Sequence, residues 1–348
     1  MMRAAVLEKI GSLRLKQVPV PEPGPGEVLV RIEANTICGT DLRIISGAKT
    51  AGVRPGVILG HEFAGRVAAV GRGVDGVPVG AQVTCSIVVS CQRCRACLSG
   101  REQLCENLVL FGYELDGGLA EYLLVPRIAM DHGNLVVLEK EIPATTLALA
   151  EPVSCCLNGA GQVAVAPGES VVVLGTGPIG LLHIALAKLA GATTILAAGR
   201  EGRLAAATDF GATCAVALTG EALTAEVRER TNGRGADVVI VAVGDLALAN
   251  QALELAAIGG RVNYFAGFPK GKTASIDPNL IHYRELAVTG GSNARRADVR
   301  RAVELLSSGA LDVGRLVTHR FPLAELDAAV TAVARRDGLK VAVMPEAG

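Results

Sequence analysis

The chain has 348 residues, half of them hydrophobic and only 3 % aromatic, enough for two domains whose cores must be built from Ala, Val, Leu and Ile. Lysine plus arginine equals aspartate plus glutamate at 34 each, which excludes a basic surface for nucleic acid or anionic membrane and points to a small-molecule partner. Charges at Arg3, Glu8, Lys9, Arg14 and Lys16 break up the amino terminus and no apolar run reaches membrane-spanning length, so a cytoplasmic protein is expected, with its nine cysteines reduced and suited to metal.

In chain order, the first third reads as β structure. Val28–Ile32, Phe63–Val70 and Ala81–Cys85 are short Val/Ile-rich runs separated by Pro/Gly clusters such as Pro19–Gly26. Between and beyond these runs lie Cys38, His61, Glu62 and Glu151. A thiolate, an imidazole and a carboxylate can hold Zn²⁺ and leave one position open, and an alcohol at such an ion loses its proton near neutral pH. Taken singly, each has a plainer reading: a buried thiol, a hydrogen-bonded turn histidine, ion-pair glutamates.

Cys91, Cys94, Cys97 and Cys105 follow as C-x2-C-x2-C-x7-C. Four thiolates in fifteen residues close a tetrahedral shell around Zn²⁺ with no position left for chemistry, the pattern of a structural zinc lobe at about residues 88–107. An iron–sulfur cluster uses the same ligand type, but nothing else in the chain suggests electron transfer.

From about Ser170 the rhythm changes. The apolar runs Val171–Leu174, Thr194–Ala198, Val238–Val243, Arg261–Ala266 and Leu286–Thr289 alternate with helix-like segments such as Leu181–Leu189, which predicts a doubly wound parallel sheet. Gly175-Thr176-Gly177-Pro178-Ile179-Gly180 matches G-x-G-x-x-G between a strand and a helix, where the backbone turns sharply and meets a pyrophosphate at the helix start. At the end of the next strand, Gly199 stands where an NAD site places an acid, and Arg200 and Arg203 follow. Guanidinium forks suit a 2′-phosphate, which favours NADP over NAD, although Glu201 offers a carboxylate to either arginine or to a ribose hydroxyl. The chain then returns to charged, helix-rich sequence with short β runs near Val317 and Val341.

Together these residues resemble the zinc-containing medium-chain dehydrogenases of the alcohol dehydrogenase superfamily, and most closely the polyol (sorbitol) and threonine dehydrogenase branch. The resemblance rests on Gly60-His61-Glu62-Phe63-Ala64-Gly65 with Gly71 and Val74, Ile37-Cys38-Gly39-Thr40-Asp41, the four-cysteine lobe with Gly100, Gly117-Gly118-Leu119-Ala120-Glu121-Tyr122, Glu151-Pro152 and the glycine turn. It covers essentially the whole chain.

The resemblance implies an α/β protein with a GroES-like catalytic domain (1–153), an inserted Rossmann domain (154–292), a carboxy-terminal segment completing the catalytic domain (293–348), and an active site in the cleft. It implies Cys38, His61 and a glutamate, Glu62 or Glu151, on a catalytic zinc. Thr40 is then the hydroxyl that accepts the alcohol proton, and the enzyme is a homodimer or homotetramer. In place of a histidine usual in the family stands Arg43, either a contact for a substrate phosphate or carboxylate or a structural ion pair. Cys155 and Cys156 are expected to pack as small buried residues.

The expected reaction is zinc-dependent hydride transfer between NAD(P) and a secondary alcohol: a polyol, sugar alcohol, cyclitol or sugar phosphate. The alternatives are an L-threonine 3-dehydrogenase-like enzyme, a zinc-free quinone or enone reductase, and a non-catalytic nucleotide-binding regulatory protein.

Overall fold

The structure, a computed structural model, describes residues 1–345. They form two compact units, Met1–Ser154 with 293–345, and Cys155–Ser292. No helix among the described residues is long and apolar enough to cross a membrane.

The first unit is built on a seven-stranded sheet. Its order is Val317–Pro322, Lys340–Met344, Val28–Thr36, Glu62–Val70, Gln82–Cys85 and Leu135–Val137, with Tyr122–Val125 also paired to Val28–Thr36. Val28, Val30, Ile32, Phe63, Val67, Val83 and Leu123 share one core cluster, because alternate side chains of paired strands reach the same face. Register decides what gathers at one end of this sheet. Thr36 stands opposite Glu62 on one side and Ala342 on the other, so Glu62, Lys340 and Cys38 meet although they are far apart in sequence.

The second unit carries six parallel strands in the order Cys214–Val216, Thr194–Ala198, Ser170–Leu174, Ala236–Val241, Ala256–Tyr264, Ala287–Gly290. Numbered along the chain this is 3-2-1-4-5-6, the doubly wound arrangement whose strand order reverses beside Ser170–Leu174. Ser170–Leu174 is buried at every position, which explains the unbroken apolar run Val171–Leu174. The strand Ala256–Tyr264 begins five residues before the apolar run at Arg261. Gly259, at φ +72°, lies within an irregularity of the strand.

In the same unit, His183 on the helix Pro178–Leu189 is 1 % exposed and packs edge-on against Phe265 at 4.6 Å. Neither ring nitrogen has a hydrogen-bond partner among the described residues, and burial pushes its pKa down to about 3. The fold therefore keeps it neutral while an unfolded chain takes up a proton near pH 6.5. Its stability contribution is complete above that pH and is lost as pH falls from about 6.5 towards 3, at about 1.4 kcal/mol per unit. Urea unfolding at pH 7 and pH 5 is expected to show a smaller acid loss in His183→Phe than in the unsubstituted protein; equal losses would remove His183 from the account.

Candidate active site and zinc centres

Two groups of side chains bring metal-ligating atoms within 4.8 Å of one another: Cys38, His61 and Glu62, and Cys91, Cys94, Cys97 and Cys105.

The four-cysteine group occupies a lobe closed at its base by the paired strands Val88–Val89 and Val109–Leu110, with a single turn of helix at Arg95–Leu98. Cys94 Sγ lies 3.5 Å from Cys97 Sγ and 4.0 Å from Cys105 Sγ, and all four thiols are free of disulfides. Backbone amides point at sulfur: Cys91 and Asn107 N–H donate to Cys105 Sγ at 3.2 and 3.3 Å. Hydrogen bonds from the backbone around Arg93 and Cys94 lower the Cys91 pKa to about 6, while burial raises Cys105 to about 12. Four sulfurs at these separations, with N–H groups directed at them, suit a tetrahedral ion that takes thiolates.

The second group is held by different devices. Cys38 immediately precedes the helix Gly39–Ile45, and its N–H donates to Asp41 Oδ2 at 2.8 Å. Asp41 Oδ1 faces His61 Nδ1 at 3.2 Å, both residues being buried. One carboxylate thus ties the cysteine backbone to the imidazole and leaves Nε2 as the nitrogen for a metal. Burial opposes a charge on His61, but Asp41, with Tyr113 and Cys38, raises its pKa well above the ordinary value. A metal ion taking this nitrogen must displace that proton.

Glu62 is 1 % exposed and receives the Lys340 ammonium on both oxygens and the Thr36 hydroxyl on one. Lys340 is itself buried. Burial works against its charge, and Glu62, with Cys38 adding to it, holds its pKa above the usual lysine range. The donor set of thiolate, imidazole and carboxylate fits Zn²⁺ with a coordination position to spare.

Glu151 lies outside this close group, in the first turn of the helix Ala150–Val163, though its charge is felt at Tyr113 and Lys340. Thr40 sits two residues beyond Cys38, and its hydroxyl has no hydrogen-bond partner among the described residues. Arg43 is exposed on the same helix and forms no ion pair among them. Cys155 and Cys156 join neither metal group, and Cys156 is fully buried. Asp41, Lys340, Thr36 and Tyr113 are site neighbours that sequence reasoning missed. Asp41 was visible inside Ile37-Cys38-Gly39-Thr40-Asp41, whereas the other three depend on strand register and packing.

In the second unit, the glycine turn joins the strand Ser170–Leu174 to the helix Pro178–Leu189, beside the point where strand order reverses. Gly175 has φ +109°, and a Cβ on Gly180 would fall on the Gly175 carbonyl, so both positions require glycine. A Cβ on Gly199 would collide with the buried Thr176 side chain, standing 2.8 Å from the threonine's own Cβ, which rotation about χ1 cannot relieve. The acid of an NAD site has no room there. Arg203 Nη1 approaches within 3.6 Å of where a Gly177 Cβ would stand, so its guanidinium lies against the turn. Arg200 is exposed, and Glu201 is exposed with no ion pair among the described residues. This cradle of glycines, helix N-terminus and guanidinium fits a dinucleotide.

Comparison with known proteins gives the same picture. Residues 24–132 match the alcohol dehydrogenase GroES-like domain family and residues 178–308 the zinc-binding dehydrogenase family. An L-threonine 3-dehydrogenase of Pyrococcus furiosus is 37 % identical over 313 residues, covering 88 % of this chain and 87 % of that one. Among solved structures, a zinc-binding dehydrogenase from Sinorhizobium meliloti bound to NADP aligns with TM-score 0.91 at 36 % identity, covering 99 % of both chains. An alcohol dehydrogenase from Thermus sp. ATN1 aligns with TM-score 0.88 at 33 % identity, again over 99 % of both. The chain belongs to the zinc-containing medium-chain dehydrogenases, in the branch that holds the threonine and polyol dehydrogenases, and is a zinc- and NAD(P)-dependent enzyme of the alcohol dehydrogenase type.

Proposed function

We propose that the enzyme oxidises a polar secondary alcohol to a ketone, passing hydride to NADP⁺ and releasing a proton. The observation that carries this reading is the convergence of the Cys38, His61 and Glu62 donor atoms within 4.8 Å of one another, a three-donor set that would leave a zinc ion a coordination position for the alcohol oxygen. When bound, zinc would supply Lewis acidity for the alcohol oxygen and the dinucleotide would supply the hydride acceptor. Asp41 orients His61, and Lys340 with Thr36 holds the Glu62 carboxylate in place. Thr40, with its unengaged hydroxyl, takes the alcohol proton and passes one outward, since a hydroxyl both accepts and donates. Glu151, outside the close group, is the second carboxylate available to the metal.

On this reading, Met1–Ser154 with the carboxy-terminal segment is the catalytic part and Cys155–Ser292 the dinucleotide-binding part. The exposed edge strand Ala287–Gly290, with Val288 38 % exposed, is the edge by which two copies associate.

Polyols, cyclitols and sugar phosphates satisfy these requirements, and so does L-threonine, the substrate named for several relatives at 32–37 % identity. The Arg203 contact with the turn and the steric closure of position 199 favour NADP. Steady-state kinetics are expected to give a higher kcat/KM with NADP⁺ than with NAD⁺, and Arg203→Ala to lower the NADP⁺ value by about 10- to 100-fold. A preference for NAD⁺ in the unsubstituted enzyme contradicts the cofactor assignment.

A further inference from the structure

Lys49 follows the helix that carries Thr40, and its N–H donates to the Arg43 carbonyl at 2.9 Å. Its ammonium stands 5.3 Å from the centre of the Tyr113 ring, and the same ring lies 5.5 Å from the imidazole of His61. A lysine over an aromatic face gains from the ring quadrupole, but the ring cannot neutralise it. No carboxylate does so either: among the described residues Lys49 forms no ion pair.

Lys9 and Arg43 also form no ion pair among the described residues, but both are exposed, whereas Lys49 is half-buried. Arg54 is paired with Asp116 at 2.7 Å, and Lys340 is paired with Glu62. Lys49 also lines a cavity of about 140 Å³ with Leu7, Ile10, Ile44, Lys9 and Arg54, and no acidic residue among the described ones lines it. For covering Tyr113 alone, a methionine or leucine serves as well. What lysine adds is a half-buried charge for which the described residues supply no counter-ion.

We propose that Lys49 is a specificity-determining residue, and that its ammonium receives an oxyanion group, carboxylate or phosphate, carried by the alcohol substrate. This rests on the alcohol dehydrogenase reading above and narrows it: the substrate is a hydroxy acid, including a 3-hydroxy amino acid such as threonine, or a phosphorylated polyol. A neutral polyol brings no charge to this position.

The test compares L-threonine, 3-hydroxybutyrate and glycerol 3-phosphate with the uncharged 2,3-butanediol, using zinc-loaded enzyme and NADP⁺. The ratio of kcat/KM for the best charged substrate to that for the diol is expected to fall about 30-fold in Lys49→Met, chiefly through KM, and to recover substantially in Lys49→Arg. Calorimetric titration of the zinc-loaded protein with L-threonine and glycerol 3-phosphate reads the same site without turnover. One of the two is expected to bind, and about 30-fold more weakly to Lys49→Met.

An unchanged ratio, equal anion affinity in both proteins, or no binding of either anion overturns the proposal. Turnover of the diol alone, insensitive to Lys49→Met, overturns it while leaving the dehydrogenase reading intact. Anion binding that depends on Lys49, with no alcohol oxidised, overturns the dehydrogenase reading instead.

Discussion

Cys38→Ser is expected to lower kcat/KM by at least about 1,000-fold and to reduce bound zinc from about two ions per chain to about one. Serine keeps the size of the side chain but not its anionic sulfur, and the remaining imidazole and carboxylate form a weaker, less defined site. The four-cysteine lobe is a separate cluster with its own N–H···S bonds, so its ion stays. Metal analysis by mass spectrometry, run beside the kinetics, separates this outcome from general unfolding, in which both ions are lost. A Cys38→Ser protein that keeps two zinc ions and full turnover would remove Cys38 from the site.

The second large effect concerns stability. Lys340→Met takes the counter-charge from a Glu62 carboxylate that is 1 % exposed, and breaking a buried pair from one side costs about 3–5 kcal/mol. Zn²⁺ held beside Glu62, as proposed, would itself be a counter-charge, so the loss is expected to be largest in zinc-free protein and smaller after zinc loading. Adding Glu62→Gln to Lys340→Met is expected to recover part of the zinc-free loss, since the orphaned charge is gone. Urea unfolding of the single and double variants checks both points. Strictly additive effects would show that the two side chains do not stabilise one another.

Much of this architecture is legible in the sequence, for physical reasons that differ between elements. The parallel sheet announces itself because strands buried on both faces must be apolar throughout, as Val171–Leu174 is. The glycine turn and the cysteine lobe are local, with every participant inside six and fifteen consecutive residues respectively. His61 and Glu62 are adjacent, so their motif survives in a single line of text. Lys340 does not, because it reaches Glu62 across 278 residues through the pairing of Lys340–Met344 with Val28–Thr36.

Register of that kind is set by the whole sheet and leaves no local trace. Tyr113 is hidden for the same reason, as its neighbours His61 and Lys49 come from other segments. Arg43 was open to two readings, and the structure gives it no ion-pair partner among the described residues. The steric reason for Gly199 depends on Thr176, which belongs to a different strand–helix turn.

Zinc-dependent hydride transfer is measured by following deuterium from a substrate labelled at the carbinol carbon, before and after zinc is removed and restored. One deuterium is expected in the reduced nicotinamide for each ketone formed, with turnover abolished by the chelator and recovered on adding Zn²⁺. Transfer that continues undiminished in protein shown to hold no zinc at the Cys38, His61, Glu62 group would contradict the zinc dependence.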